Sequence, residues 1–178
     1  NEVLKITSAS KGGKFIDCTF GGGNYSKEIL KFSRTSVEAF DRDKKTLSIA
    51  KRLEKEFPQR FKFFQIKFSQ IDTVSNDSVD AIIFDLGLSS IQLDDLSRGF
   101  SFRSKNSLDM SMGLNKSSAL DAINSLSEKE LKSVIKILGD EKDASRIAKN
   151  IVRHRNVKKI KNTADLVNII EKSKKKNY

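Results

Sequence analysis

Several residue types that build common kinds of site are scarce in this chain. Its 178 residues include one cysteine, one histidine, one proline and no tryptophan. A single cysteine excludes a disulfide within the chain and favours a reducing, cytoplasmic setting. One cysteine and one histidine cannot build a usual zinc site, so we expect no metal. Cys18 is predicted to be a small buried hydrophobic residue.

Long hydrophobic runs are also missing. No stretch approaches the roughly 18 apolar residues that a membrane span needs, and the first residues lack the apolar core of a signal peptide. The composition, 37% hydrophobic and 32% charged, is that of a globular protein. We therefore expect a folded protein with no membrane partner.

Negative charge is in short supply. The formal net charge is +11, and the excess is concentrated from Lys142 to the last residue, where twelve Lys or Arg accompany three Asp or Glu. Such a basic segment favours a polyanionic partner, most simply a nucleic acid. A solvated lysine-rich surface is the alternative.

The chain does contain a strand-like run that leads into a glycine-rich turn. Phe15-Ile16-Asp17 ends in an acid, Gly21-Gly22-Gly23 follows, and a helix-like run begins near Asn24. Glycine lets the backbone take positive φ angles and approach a ligand closely. This order of strand, glycine turn and helix predicts a site for a nucleotide-type cofactor.

Strand-like and helix-like segments alternate up to residue 85. Strands are predicted at 14–18, 36–40, 61–66 and 79–85, and helices at 24–32 and from Asp43 to about Phe57. This order predicts an α/β fold with a doubly wound parallel sheet. Four strands are few for such a sheet, so we expect its second half to be absent from this chain.

The composition changes after Leu88. Residues 89–115 are polar and without periodicity, and a loop of that length is often functional. Helices are predicted again at 119–126, after a capping box of Ser127 and Glu130, at 140–155, and after a cap at Thr163. We therefore divide the chain into the first half of an α/β domain, residues 1–105, and a basic helical domain, residues 106–178.

Three cofactor classes compete for the glycine turn. A phosphate-binding loop requires a glycine immediately before Lys27, where the chain has Ser26. A dinucleotide turn requires a third glycine or an alanine, and that position is again Ser26. S-adenosylmethionine fits better, because Asp17 precedes the glycines while Asp41 and Asp85 end the second and fourth strands. A nicotinamide-dependent oxidoreductase is the alternative, since an acid at position 41 suits both cofactors.

Three longer segments carry a family resemblance. They are Asp17 to Gly23, the stretch Asp85-Leu86-Gly87-Leu88-Ser89-Ser90, and the stretch from Arg98-Gly99-Phe100-Ser101-Phe102 to Met112. Together they resemble the bacterial 16S ribosomal RNA cytosine-N4 methyltransferases, the MraW family. The resemblance implies a Rossmann-like methyltransferase fold with an all-helical insertion domain, in a chain that lacks the family's C-terminal part. It also implies S-adenosylmethionine as cofactor and methylation of a cytidine amino group in the decoding centre of the small ribosomal subunit.

The resemblance and the turn together give candidate site residues. Those expected to bind the cofactor are Asp17, Gly21, Gly23, Asn24, Tyr25, Asp41, Phe68, Asp85 and Gln92. Asp85 is the first candidate acceptor for the amino protons, and Ser89 and Ser90 are the second. Residues expected to contact RNA phosphates are Arg98, Arg103, Lys158, Lys159 and Lys161.

Three points stay open: cofactor affinity, catalytic activity and oligomeric state. Asn24 and Tyr25 depart from the Gly-His that the family usually has there, which bears on cofactor affinity rather than on the fold. A non-catalytic RNA-binding remnant is an alternative to the enzyme, because half of the sheet is expected to be absent. The oligomeric state is also open, and a homodimer is one state that the sequence allows.

Overall fold

The computed structural model describes residues 2–75, 78–114 and 117–174. Its contacts divide the chain into two units, residues 1–91 with 112–114 and residues 92–111 with 115–178. We call them the sheet unit and the helical unit. The predicted boundary between residues 105 and 106 lies inside the helical unit, and the domain limits stay a prediction.

The sheet unit alternates strands and helices as predicted. Its elements are α1 (Glu2–Ile6), β1 (Gly13–Asp17), α2 (Asn24–Leu30), β2 (Thr35–Phe40), α3 (Leu47–Glu56), β3 (Phe61–Phe64) and β4 (Ala81–Ile83). Short 3-10 helices lie at Ala9–Lys11, Lys44–Thr46 and Phe68–Thr73. All four strands are parallel, in the order β3-β2-β1-β4, which confirms the predicted α/β class. The fourth strand is shorter than its predicted span of 79–85.

The strand order determines where a ligand can bind. From β1 the chain passes outward to β3 and then returns to the other side of β1 to form β4. Open α/β sheets bind ligands at such a reversal, beyond the carboxyl ends of the strands. Asp17 is paired with both Ala39 and Ile83, so the residues that follow β1, β2 and β4 lie at one edge of the sheet.

Apolar side chains fill both faces of this sheet, because successive strand residues point in opposite directions. One cluster includes strand residues and residues of α2 and α3, among them Phe15, Val37, Phe61, Ile29, Leu30, Ala50 and Leu53. Ile16, Cys18 and Phe40 form a second cluster. Cys18 is 2% exposed, which confirms its predicted burial.

The helical unit contains most of the helices of the second half. They are α5 (Ala119–Ser125), α6 (Glu128–Ile137), α7 (Ala144–Val157) and α8 (Thr163–Ser173), while α4 (Ser90–Asp94) begins in the sheet unit and ends here. Their core consists of Leu131, Ile147, Ala148, Ile151, Ile160 and Ile169. No helix in the described ranges is long and apolar enough to cross a membrane.

Helix starts in this unit follow local sequence signals, with one correction. The capping box predicted at Ser127 and Glu130 is present, and each side chain bonds to the other residue's backbone N–H. Asn162 rather than Thr163 is the N-cap of α8, because the Asn162 side chain accepts from the N–H of Asp165. Thr163 is the first helical residue, so the predicted cap was wrong by one position.

Residues 92–111, the larger part of the segment 89–115 that was predicted to lack periodicity, belong to the helical unit. They contain the end of α4 and a 3-10 helix at Leu96–Arg98. The N–H groups of Ala119 and Leu120 donate to the carbonyls of Asp109 and Leu108, each at 2.8 Å. Ser107 also pairs with Asn162 in an antiparallel bridge. These backbone hydrogen bonds explain why the segment belongs to the helical unit.

Candidate cofactor site

The glycine turn connects the end of β1 to the start of α2. Gly21 has φ +49° and Gly23, the residue before α2, has φ +74°, a region that side chains disfavour. A Cβ on Gly23 would also lie 2.8 Å from the ring of Phe20. Gly22 differs, because a Cβ there would meet only the side chain of Asn24 at 3.9 Å. The turn therefore presents bare backbone with open space at its centre.

Asp17 stabilises this turn through hydrogen bonds to residues on both sides of the glycines. Its side chain is fully buried, and each carboxylate oxygen accepts a hydrogen bond. Oδ1 accepts from the Thr19 N–H at 3.2 Å, and Oδ2 accepts from the Ser26 hydroxyl at 2.7 Å. Burial raises the pKa of Asp17, although the bond from Ser26 acts in the opposite direction. This geometry supports the turn, and direct contact of Asp17 with a cofactor stays a prediction.

Asp41 links the end of β2 to the same turn. Oδ2 accepts from the Gly21 N–H at 2.8 Å, and Oδ1 accepts from the Asp43 N–H at 2.8 Å. Burial is the main cause that raises the pKa of Asp41. Each oxygen of an ionised carboxylate has a second acceptor site. Asp41 is thus fixed by the backbone, and its carboxylate is only partly buried.

Asp85 lies at the end of β4 and is exposed. Its N–H donates to the hydroxyl of Thr19 at 2.8 Å, which connects the segment after β4 to the turn after β1. Ser89 returns towards the turn, since a Cβ on Gly21 would lie 3.5 Å from the Cβ of Ser89. Ser90 is the first residue of α4 and is exposed. The carboxyl ends of β1, β2 and β4 thus bring together Asp17, Asp41, Asp85 and Ser89.

Two aromatic rings lie on the same unit. Phe68 is 43% exposed and Phe84 is 52% exposed. The rings meet edge to face, with centroids 5.5 Å apart. Phe68 was predicted as a site residue. Phe84 was not, because it belongs to an apolar run that predicted a buried strand. An exposed aromatic pair of this kind can contact a flat ring.

The remaining predicted cofactor residues differ in accessibility. Asn24 is exposed at the first position of α2. Tyr25 is partly buried and packs against the core cluster of α2 and α3. Gln92 is buried, in the part of α4 that belongs to the helical unit.

The predicted RNA-contacting residues separate into two groups. Arg103, Lys158, Lys159 and Lys161 are exposed. Arg98 is only 9% exposed, donates from Nη2 to the carbonyl of Ser111 at 2.8 Å, and lies over the ring of Phe100. Contact of Arg98 with an RNA phosphate stays a prediction, and its guanidinium also holds the segment that contains Ser111.

Sequence patterns missed two hydroxyl groups of this site. Thr19 and Ser26 each bond to the acidic residues at the strand ends, and neither was predicted to have a role. Ser26 was considered only as a departure from glycine motifs. A hydroxyl residue within a glycine-rich turn is the signal that could have indicated them.

A parallel sheet with acids at three strand ends around a glycine turn defines an α/β domain of the kind that binds nucleotide-type cofactors. A family model described as the MraW methylase family matches residues 1–178. The chain belongs to this family.

Curated relatives agree with the family. The chain is 41% identical over 186 residues to a ribosomal RNA small subunit methyltransferase H of Ehrlichia ruminantium (strain Welgevonden), which covers 99% of this chain and 62% of the relative. It is 40% identical over 174 residues to the protein of that name from Orientia tsutsugamushi (strain Ikeda), and the match covers 97% of this chain and 56% of the relative. The Bartonella tribocorum protein of that name is 43% identical over 160 residues, and the match covers 90% of this chain and 48% of the relative. The chain therefore spans between about half and three fifths of these relatives.

Among solved structures, a putative rRNA-methylase from Clostridium thermocellum aligns with a TM-score of 0.43 and 19% identity, over 50% of this chain and 53% of that one. This likeness is too weak to inform the site.

Proposed function

We propose that the chain carries the cofactor site of an S-adenosylmethionine-dependent methyltransferase that acts on ribosomal RNA. The observation that carries the proposal is Asp41, fixed to the N–H of Gly21 beside the buried Asp17 and the exposed Asp85. The relatives' name supplies the substrate class. The resemblance of the segment from Asp85 to Met112 supports the finer assignment, the N4 amino group of a cytidine in the 16S rRNA decoding centre.

The described residues fit this cofactor. The partly buried carboxylate of Asp41 can accept from ribose hydroxyls, and the exposed rings of Phe68 and Phe84 can contact adenine. The open space over Gly22 suits the amino-acid part, which needs close approach to backbone. When bound, S-adenosylmethionine supplies a methyl group that its sulfonium already activates.

The protein's own contribution to transfer is positioning. A cytosine amino nitrogen is a poor nucleophile, because its lone pair is shared with the ring. Holding two reacting groups in line contributes much of a rate enhancement. An acceptor for the amino hydrogens would localise that lone pair. The exposed Asp85 is the first candidate for this role, and Ser89 and Ser90 are the second.

The helical unit supplies the basic surface of the proposal. Exposed Lys158, Lys159 and Lys161 lie together after α7, and Arg103 is exposed in the segment before α5. Lys and Arg on such surfaces bind phosphates without selecting a base. The proposal includes a cytoplasmic location, which fits the free, buried thiol of Cys18. A homodimer stays a prediction.

The substitution Asp41→Ala tests the cofactor site. It removes the acceptor for both ribose hydroxyls, and hydrogen bonds to a charged group contribute about 1.5–3 kcal/mol each. We expect the affinity for S-adenosylmethionine, measured by titration calorimetry, to fall about tenfold or more while the circular dichroism spectrum is unchanged. Glu56→Ala, an exposed acid at the end of α3, is the matched control and should bind normally. Equal affinity of Asp41→Ala and the unsubstituted chain would refute the assignment.

A non-catalytic RNA-binding protein is the second candidate. It is supported by the exposed basic residues of the helical unit, Arg103, Lys158, Lys159 and Lys161. Tritium transfer from labelled S-adenosylmethionine to small ribosomal subunits separates the two. Label on the RNA that is lost with Asp41→Ala supports the enzyme. Cofactor and RNA binding without any transfer supports the second candidate.

A further inference from the structure

The hydroxyl of Thr19 joins two segments that are 66 residues apart in the sequence. Its Oγ1 accepts from the Asp85 N–H at 2.8 Å, and its own backbone N–H donates to Oδ1 of the buried Asp17 at 3.2 Å. Thr19 is therefore anchored on one side by a buried carboxylate. On the other side it holds the main chain of the residue proposed to act in methyl transfer.

Asp85 needs such an anchor, because the strand no longer holds it. The pairing of β1 with β4 ends at Asp17 and Ile83. Asp85 and the following Leu86, Gly87 and Leu88 are exposed, and a Cβ on Gly87 would meet nothing within 4 Å. The Thr19 bond attaches Asp85 to the turn just beyond the last paired residue.

We propose that Thr19 is a positioning residue, whose hydroxyl sets where the Asp85 carboxylate lies relative to the glycine turn. This inference rests on the proposed function, and it adds a residue that the family resemblance did not assign. Threonine suits the task because its branched Cβ restricts χ1, so the hydroxyl is presented in few orientations. A displacement of about 1 Å in a positioned group can reduce a rate by about a hundredfold.

Two substitutions isolate the hydroxyl. Thr19→Val keeps the branched shape but removes the acceptor and leaves the Asp85 N–H without its partner. Thr19→Ser keeps the acceptor with a freer χ1. We expect methyl transfer by the full chain to fall about tenfold or more in Thr19→Val, with affinity for S-adenosylmethionine changed less than about threefold, and Thr19→Ser to restore most of the rate.

A double substitution separates positioning from general damage. If Thr19 acts through Asp85, then Thr19→Val combined with Asp85→Asn will transfer methyl groups no more slowly than Asp85→Asn alone. Multiplicative losses would overturn the proposal. So would a loss of cofactor affinity as large as that of Asp41→Ala, because Thr19 would then serve the turn instead of Asp85.

A second measurement does not depend on activity. The exchange rate of the Asp85 amide hydrogen, followed by NMR, should rise about fivefold in Thr19→Val and return towards its original value in Thr19→Ser, as expected for loss of one hydrogen bond. If the chain binds S-adenosylmethionine without transferring methyl groups, the catalytic part of the proposed function fails, and this exchange rate still tests whether Thr19 holds the Asp85 main chain. Equal exchange in all three proteins would refute it.

Discussion

The sheet unit and the helical unit shift the pKa values of their acidic side chains in opposite directions. In the sheet unit, Asp17 is buried and Asp41 is partly buried at strand ends, and burial raises the pKa of both. In the helical unit, Asp121 and Glu130 are exposed at helix starts, and hydrogen bonds from Ser118 and Ser127 lower their pKa values.

The direction of the pKa shift shows whether folding favours or disfavours the ionised form of each acid. A raised carboxyl pKa means that folding disfavours the charged form, so ionised Asp17 and Asp41 destabilise the folded sheet unit at neutral pH. A lowered pKa means that folding favours the charge, so ionised Asp121 and Glu130 stabilise the helical unit. Acids whose ionised form destabilises the fold are common at functional sites, where their chemistry is required. The predictions below contrast matched substitutions in the two units.

The largest contrast is expected from core truncation. Ile151 is 1% exposed in the helical core, and Ile29 is 0% exposed in α2, directly after the glycine turn. Truncating either to alanine should destabilise its unit by about 2–5 kcal/mol, because it removes apolar contacts and leaves a cavity. We expect Ile151→Ala to lower amide protection in α6 to α8 without changing S-adenosylmethionine affinity, and Ile29→Ala to lower both. Amide exchange and calorimetry on the full chain measure these effects, and an affinity loss with Ile151→Ala would contradict the contrast.

The sequence predicted those parts of both units that depend on local pattern. The alternating strands, the glycine turn and the acids at the ends of β1, β2 and β4 follow from hydrophobic periodicity and turn chemistry. The capping box at Ser127 is equally local, since both of its hydrogen bonds lie within four residues. The helix predicted at 140–155 is present as α7, and its buried residues Ala144, Ile147, Ala148 and Ile151 recur at helical spacing.

Contacts between distant residues could not be predicted in this way. The bond between Thr19 and Asp85 depends on strand order, which places β4 beside β1 and not beside β3. Arg98 looked like a surface cation, yet its segment folds back so that Met110 donates to the Arg98 carbonyl. Gly99 permits this return with φ +77°, where a Cβ would lie 2.5 Å from the carbonyl of Ser107. Tertiary packing determined each of these outcomes.

An intermediate contrast is expected from removing one serine hydroxyl in each unit. Ser127→Ala removes an exposed N-cap and should destabilise the helical unit by about 1 kcal/mol. Ser26→Ala removes a buried donor to Asp17, which leaves a buried carboxylate less satisfied and should cost about 1–3 kcal/mol. Only Ser26→Ala should also weaken S-adenosylmethionine binding, because Asp17 supports the turn. Chemical denaturation measures the stability of each variant, and calorimetry measures its affinity for S-adenosylmethionine. Equal loss of affinity in both variants would contradict the prediction.

The smallest contrast is expected from pH, and its sign differs between the units. Glu130 and Asp121 have lowered pKa values, so their contribution is present above the unfolded pKa values of about 4.3 and 3.9 and is lost as pH falls through the folded values. Asp17 and Asp41 have raised pKa values, so acidification through them removes the penalty for their buried charges and relatively stabilises the sheet unit. Amide exchange of the full chain, compared between pH 7 and about pH 3 after correction for intrinsic rates, should therefore show helical-unit protection falling relative to that of the sheet unit. S-adenosylmethionine affinity should fall over the same range, because protonated Asp41 loses acceptor capacity at a pH above the usual value for aspartate. Constant affinity down to pH 4 would show that ionised Asp41 is not what binds the ribose.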